Sequence, residues 1–203
     1  MAHAQAVASS PSIQMLRPDL EGLPPLAPHV AALPEGYRMR AYRPGDEAGW
    51  ASLMNTGQMD EWDVERTREK LTGRPWPQFD PDGLFLITYR SDERIVGSAC
   101  AWLIDPDETE TGTLHMVCVL PEHRGARLSY PLCLAVLWRF RERGFQRVRL
   151  NTGDWRLGAV KTYLRLGFQP WYRKPTHPEQ WERTLAALNW SEPVRPILDE
   201  TLA

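Results

Sequence analysis

The order of secondary-structure signals predicts a mixed α/β fold for this chain of 203 residues. A strand and two helices come first, three strands follow, and the pattern ends with helix, strand, helix and strand. Hairpins make neighbouring strands antiparallel, whereas strand–helix–strand connections make them parallel. The expected fold is therefore a twisted, mostly antiparallel sheet of about six to seven strands with helices on both faces.

Alternating apolar residues define the strands, and apolar residues at helical spacing define the helices. The predicted strands lie at 37–43, 84–90, 94–104, 113–120, 145–152 and 168–172. The predicted helices lie at 47–57, 63–73, 126–143, 155–167 and 177–188. Three helices are followed by a glycine that can end them, namely Gly73, Gly144 and Gly167. The domain is expected over 36–175, between an extended Ala/Pro-rich arm at 1–35 and a C-terminal helix and tail at 176–203 that pack on it.

Composition and charge exclude several classes of protein. No apolar run approaches the ~18 residues of a membrane span, and the N-terminus lacks a basic leader, so a cytoplasmic protein is expected. The net charge of −2 gives no bias toward nucleic acid or a membrane surface. The three cysteines are an odd number inside apolar runs, which favours buried free thiols: Cys100, Cys118 and Cys133. No Cys/His spacing resembles a metal site.

The stretch "VLPEHRGARLSYPL" places a basic, glycine-containing turn between a strand and a helix. The first N–H groups of a helix have no partner within the helix, and the helix dipole adds positive charge there. Arg124 and Arg127 add two full charges, and the usable N–H donors run from Gly125 to Tyr130, because Pro131 has none. The turn is suited to phosphate, although a loop with solvent-facing arginines explains the same residues.

Two motifs resemble the GNAT superfamily of acyl-CoA-dependent N-acyltransferases. "VCVLPEHRGARLSYPL" resembles the cofactor-binding motif of that family, and "LGAVKTYLRLGFQP" resembles its closing motif. The resemblance implies a GNAT-like fold, acetyl-CoA as the acyl donor and CoA as a product. The cofactor-binding residues that it implies are Val117, Cys118, Val119, Arg124, Gly125, Ala126, Arg127, Leu128, Ser129, Tyr130, Arg156 and Ala159. Arg127 and Ser129 depart from the family's small residues, and Arg156 stands where the family usually has asparagine.

The resemblance also implies catalytic roles. Tyr163 matches the tyrosine that protonates the leaving thiolate, although a packing tyrosine would fit the same helix face. Thr113 stands where many members carry a glutamate, and His115 lies two positions on, on the same face of the strand. His115 is the candidate general base, with a core histidine as the alternative. Asp154, as a base or a helix N-cap, and an ordered water are the competing interpretations.

The sequence thus predicts an N-acetyltransferase that acts on a primary amine of a small molecule or peptide, by direct attack in a ternary complex. The alternatives are an inactive or weakly active GNAT-like acyl-CoA sensor and a protein that binds another phosphorylated ligand. Assembly into a homodimer stays open. The acceptor pocket is expected to have aromatic walls drawn from Trp62, Trp76, Trp155 and Trp171.

Overall fold

The computed structural model describes residues 12–56, 61–72, 79–90, 92–105 and 107–199. The strands are β1 (Ser12–Arg17), β2 (Tyr37–Ala41), β3 (Phe79–Tyr89), β4 (Arg94–Trp102), β5 (Thr111–Val119), β6 (Arg147–Gly153), β7 (Gln169–Tyr172) and β8 (Ile197–Leu198). The helices are α1 (Leu26–Ala31), α2 (Glu47–Thr56), α3 (Val64–Thr72), α4 (Ser129–Glu142), α5 (Leu157–Arg165) and α6 (His177–Leu188), with a 3-10 turn at Pro121–His123. The predicted mixed α/β class is confirmed, and these residues contain eight strands rather than six or seven.

The chain forms two compact units, a central unit of residues 19–148 and a terminal unit of residues 1–18 with 149–203. In the central unit, β2, β3, β4 and β5 pair in that order and are all antiparallel. In the terminal unit, β1 pairs antiparallel with β7, and β7 pairs in parallel with β8. The predicted domain boundaries stay predictions.

Helices cover both faces of the sheet in the central unit, as predicted. Gly97 and Ser98 are neighbours on β4, so their side-chain positions point to opposite faces. A Cβ at Gly97 would lie 3.2 Å from Leu132 of α4. The Ser98 hydroxyl accepts a hydrogen bond of 2.9 Å from the Trp50 indole of α2. β4 is therefore covered by α4 on one face and by α2 on the other, which explains why its interior is buried throughout.

The description of residues 1–35 as an extended arm is wrong for two segments. Residues 12–17 form β1, whose Met15 pairs with Pro170 of the terminal unit. Residues 26–31 form α1, which packs on α4 of the central unit. Trp138 of α4 donates its indole N–H to the Pro24 carbonyl at 2.9 Å, just before α1 begins.

Several local predictions are confirmed, and two helix starts need correction. Gly144 and Gly167 have φ values of +83° and +85°, the left-handed conformation in which glycine ends a helix; Gly73 lies outside the described residues. The three cysteines are buried and free. Helices α4 and α5 begin at Ser129 and Leu157, two to three residues later than predicted. No helix of the described ranges is long and apolar enough to cross a membrane.

Candidate active site

A β-bulge interrupts β5 beside Val117, Cys118 and Val119, three of the predicted cofactor-binding residues. On β4, one residue separates Ser98 from Cys100, but two residues separate their partners Cys118 and His115 on β5. The extra residue lies in the pair Met116–Val117, and Met116 has a φ of +49°, in the left-handed region. A bulge leaves one residue outside the regular ladder and bends the strand. The distortion therefore lies directly before Val117, Cys118 and Val119.

Backbone direction differs among these three predicted cofactor residues. The Leu120 N–H donates to the Val96 carbonyl at 2.9 Å, so it points toward β4. Because backbone groups alternate along the regular part of a strand, those of Cys118 also point toward β4 and those of Val119 point away. The Val119 carbonyl accepts a hydrogen bond of 3.3 Å from Arg124 Nε, which agrees with this direction. Of these three residues, Val119 is thus the one whose backbone the hydrogen bonds show to point away from β4.

The backbone of the predicted phosphate loop is left-handed at two residues and changes from left-handed to right-handed between Arg127 and Leu128. Gly125 has a φ of +86° and Arg127 a φ of +58°, whereas Leu128 is right-handed at φ −70° and ψ −29°. Successive N–H groups in such alternation converge on a concavity that suits an anion. Leu128 is the N-cap of α4 and makes no side-chain cap, so the first N–H groups of the helix keep their donor capacity.

The charges of the loop are at its surface. Arg124, Gly125 and Arg127 are exposed, Ala126, Ser129 and Tyr130 are half-buried, and Leu128 is only 2% exposed. Arg127 therefore keeps its guanidinium outside the core while its backbone adopts the conformation that glycine adopts freely. Arg127 thus adopts a left-handed backbone at a position where the resemblance leads us to expect a small residue.

His115 lies on β5 with its ring against Trp102, at a centroid distance of 4.8 Å and an interplanar angle of 70°. Burial lowers the pKa of His115 below its ordinary value of 6.5. The neutral imidazole therefore dominates at neutral pH, which is the form that can take a proton from an ammonium group. The ring packing also agrees with the core-histidine alternative, so its role as a base stays a prediction.

Tyr163 is buried on α5, and its ring contacts Phe168 edge-on at a centroid distance of 6.0 Å. The Phe168 N–H donates to the Tyr163 carbonyl at 3.0 Å, which closes the turn after the helix. A Cβ at Gly167 would collide with the Arg17 guanidinium, which donates to the Leu166 carbonyl. The "Y-x-x-x-G-F" pattern is thus a helix end that fixes Tyr163 from the C-terminal side.

The start of α5 carries the other predicted residues of the terminal unit. Arg156 is the N-cap of α5 and places its guanidinium over the Trp155 ring at 4.8 Å. Ala159 lies in the first turn, and its N–H donates to the Arg156 carbonyl at 2.9 Å. The N-cap interpretation of Asp154 is wrong, because the helix starts too late. The Asp154 carboxylate instead accepts a hydrogen bond of 3.2 Å from Gln180 of α6.

The predicted aromatic walls have different surroundings. Trp62 is buried and packs edge-on against Trp50 at 4.9 Å, with the Arg66 guanidinium 4.6 Å from its ring centre. Trp171 is half-buried beneath the Arg173 guanidinium at 4.6 Å. Trp155 is 56% exposed, and Trp76 lies outside the described residues. Trp155 is therefore the most accessible of the three that the structure describes.

A separate cavity of about 400 Å³ in the central unit contains none of the predicted site residues. It is lined by the start of α2, the start of β4 and Leu120, and it includes the ion pair of Arg40 with Asp46 at 2.6 Å. Among the described residues, no group of three or more His, Cys, Asp or Glu could hold a metal ion. No sequence pattern indicates the bulge at Met116, since the residues around it alternate like those of a regular strand.

The mixed α/β fold, the bulged strand and the left-handed loop before α4 agree with the GNAT-like acyltransferase fold that the two sequence motifs imply. The chain belongs to the acetyltransferase (GNAT) family, whose family model matches residues 49–168.

Curated relatives agree with this assignment. A mycothiol acetyltransferase of Thermobispora bispora is 34% identical over 150 residues, which are 68% of this chain and 48% of that protein. A mycothiol acetyltransferase of Actinosynnema mirum is 32% identical over 166 residues, covering 77% of this chain and 51% of the relative. The chain thus spans about half the length of these relatives.

Solved structures support the same fold. A GCN5-related N-acetyltransferase from Sphaerobacter thermophilus matches with a TM-score of 0.61 at 22% identity, over 83% of this chain and 52% of that one. A tandem GNAT protein from the clavulanic acid biosynthesis pathway matches with a TM-score of 0.59 at 21% identity, over 83% and 54%. At these identities the likeness shows the fold alone.

Proposed function

We propose that this protein transfers an acetyl group from acetyl-CoA to a primary amine, by direct attack in a ternary complex. The observation that carries the proposal is the loop before α4, in which Gly125 and Arg127 are both left-handed. Such a loop, leading into a helix N-terminus whose first N–H groups have no partner within the helix, is suited to the pyrophosphate of a nucleotide cofactor. Arg124 and Arg127 supply the compensating charge.

The residues of the chain have separate tasks in this reaction. Bound acetyl-CoA would supply an acyl thioester. The N–H groups from Gly125 to Tyr130 would hold its phosphates, and the backbone of Val117 and Val119 would hold its pantetheine arm. Arg156 and Ala159, at the start of α5, would contribute further cofactor contacts.

Proton transfer is the second task. His115 would take the proton from the ammonium group of the acceptor, so that the neutral amine can attack the thioester. Burial lowers the pKa of His115 and keeps its imidazole neutral for this step. Tyr163 would donate a proton to the sulfur that leaves when the C–S bond breaks. An ordered water remains the alternative base, whereas Asp154 is less suited because its carboxylate is bonded to Gln180.

We propose a small-molecule amine as the acceptor. The relatives are named as mycothiol acetyltransferases, so a mycothiol-related amine is the first acceptor to test. The exposed Trp155, with Arg156 over its ring, is the best candidate for an aromatic wall among the residues described. The relatives' named activity favours a transferase over a binding module that lacks activity. The cytoplasmic location stays a prediction.

Thermal unfolding and thiol release test the proposal in sequence. Acetyl-CoA and CoA at one hundred times Kd should each stabilise the fold by about 2.7 kcal/mol, which is roughly 5–10 °C for a chain of this size, and ATP should do less. Thiol release is then measured with a mycothiol-related amine, other small amines and peptides. Stabilisation by ATP equal to that by CoA would contradict an acyl-CoA site. Binding of CoA without turnover of any amine would favour the sensor.

A further inference from the structure

The phosphate loop is fixed at its two ends by buried side chains. Between Pro121 and Arg127, His123 is the buried side chain, at 9% exposure, and Leu128 follows at 2%. Residues 124–127 lie between these two anchors and carry both left-handed residues. Leu128 is held by ordinary apolar packing at the start of α4. The contacts of His123 are polar and aromatic, which is unusual for a residue that only fills space.

His123 lies against two tyrosines of the neighbouring strands. Its Nδ1 is 2.9 Å from the Tyr37 hydroxyl of β2. Its ring is edge-on to Tyr89 of β3 at 5.0 Å, and Tyr37 and Tyr89 contact each other at 4.7 Å. A Cβ at Gly36 would come within 2.9 Å of the Tyr89 ring, so the glycine before Tyr37 leaves room for this cluster. Burial raises the pKa of Tyr37, so its hydroxyl keeps the proton that it can donate to Nδ1.

The other ties of the loop are weaker. Arg94 and Glu122 form an ion pair of 3.0 Å, but both side chains are more than half exposed, and such pairs contribute little. Arg124 contacts the Val119 carbonyl at 3.3 Å through an exposed guanidinium. Among the described residues, the Tyr37–His123 contact is therefore the most buried side-chain hydrogen bond at the N-terminal end of the loop, beside the backbone bond in which the His123 N–H donates to the Leu120 carbonyl at 2.9 Å.

We propose that Tyr37 and His123 are positioning residues that hold the phosphate loop in its binding conformation. A loop that is already ordered loses less freedom when a ligand binds, so the hydrogen bond acts on affinity without touching the ligand. Tyr37 lies on β2, before the residues 49–168 that the family model matches, whereas His123 lies among them. The inference rests on the proposed function, because it assigns the loop to the phosphates of the acyl donor.

The test compares two donors in the Tyr37→Phe variant. Acetyl-CoA carries the phosphates, whereas S-acetylpantetheine has the same thioester without them. Loss of one net hydrogen bond should raise KM for acetyl-CoA about three- to tenfold and leave kcat unchanged. KM for S-acetylpantetheine should not change, because that donor does not use the loop. A merely structural defect would instead affect both donors alike.

The matched control is Tyr42→Phe. The Tyr42 hydroxyl also donates a hydrogen bond of 2.9 Å in the central unit, to Glu47, but it does not contact the loop. This variant should keep the wild-type KM for both donors. In a double-mutant cycle, Tyr37→Phe should add nothing to His123→Asn if the two residues act through each other. An equal rise in KM for both donors, or no rise with acetyl-CoA, overturns the proposal.

Amide hydrogen exchange without ligand separates this inference from the proposed function. Exchange at residues 124–130 should be faster in Tyr37→Phe than in Tyr42→Phe, whichever ligand the loop takes. Faster exchange in a protein that neither binds CoA nor turns over acetyl-CoA would support the positioning role of Tyr37 and His123 and reject the proposed acetyltransferase function. If the exchange at these residues is unchanged in Tyr37→Phe, the positioning role of Tyr37 and His123 is rejected.

Discussion

Replacing Arg127 by glycine or by alanine separates two roles of this residue. Both changes remove the guanidinium, but only glycine also removes the Cβ that opposes a φ of +58°. A left-handed residue with a Cβ costs roughly 1–2 kcal/mol. Glycine loses about 0.5–1 kcal/mol more conformational freedom on folding. The difference predicts that Arg127→Gly exceeds Arg127→Ala in free energy of unfolding by about 0.5–1 kcal/mol, or roughly 1–4 °C in Tm.

The same pair of variants measures how much the charge of Arg127 contributes to CoA binding. Arg127 is exposed, so the loss of its guanidinium should raise the Kd for CoA only about two- to fivefold at low salt. Titration calorimetry at two salt concentrations checks this, since screening should reduce the effect as salt rises. Arg127→Gly and Arg127→Ala should weaken CoA binding by the same factor, because both variants lose the guanidinium.

Two results would refute this reasoning, each at a different step. If Arg127→Gly melts below Arg127→Ala, the left-handed backbone does not store the assumed strain. If either variant binds CoA as tightly as the wild type at low salt, the guanidinium does not contact phosphate, and arginine at this position is a drift from glycine without a binding role. Arg127→Lys provides a control that keeps the charge and the Cβ.

Three further predictions concern the two candidate catalytic residues and the end of α5. Because burial lowers the pKa of His115, the folded state binds its proton more weakly than the unfolded state, so the free energy of unfolding should fall as pH drops below about 6.5. His115→Gln should reduce that fall and remove the acidic limb of the kcat/KM profile; an intact limb would reject His115 as the base. Tyr163→Phe should lower kcat about 100-fold without changing CoA binding, and wild-type turnover at every pH would reject it as the acid. Gly167→Ala should lower Tm by several degrees, because the φ of Gly167 is +85° and a Cβ there would collide with Arg17. Gly158→Ala, in open space on α5, should instead raise the free energy of unfolding by about 0.5–1 kcal/mol. Similar Tm values for the two glycine variants would contradict this prediction.

Elements with local signals were predictable, and elements that depend on distant partners were not. The apolar face of α4 and the glycines that end α4 and α5 follow from spacing within a few residues. β1 is different, because its partner Gln169 is far along the chain and pairs with Leu16. The alanine- and proline-rich residues around β1 favoured an arm, and no local pattern indicates a strand whose pairing is this remote.

The phosphate loop shows why a missing glycine does not remove a glycine-like turn. From the sequence, Arg127 was either a ligand or a sign of drift, since a Cβ disfavours a left-handed backbone. The strain of roughly 1–2 kcal/mol is comparable to the gain of about 1.5–3 kcal/mol from burying Leu128, the next residue. Once Leu128 and His123 are buried, the backbone between them has little choice of conformation. Tertiary packing thus imposes the turn that local propensity disfavours.

The bulge in β5 changes which residues share a face with His115. Regular alternation places the side chains of His115 and Thr113 on the same face of β5. The pairing agrees with this, because their partners Cys100 and Trp102 on β4 are also two residues apart. If alternation continued through the bulge, the side chain of Val119 would lie on the same face as His115, and this is wrong. Cys118 pairs with Ser98, on the face of β4 toward α2, so the extra residue at the bulge brings Cys118 to the side of His115. Val119 pairs with Gly97 and belongs to the face toward α4. The strained residue at Met116 therefore divides the strand into a segment that carries the candidate base and a segment that carries predicted cofactor residues, and a rule of strict alternation fails between the two.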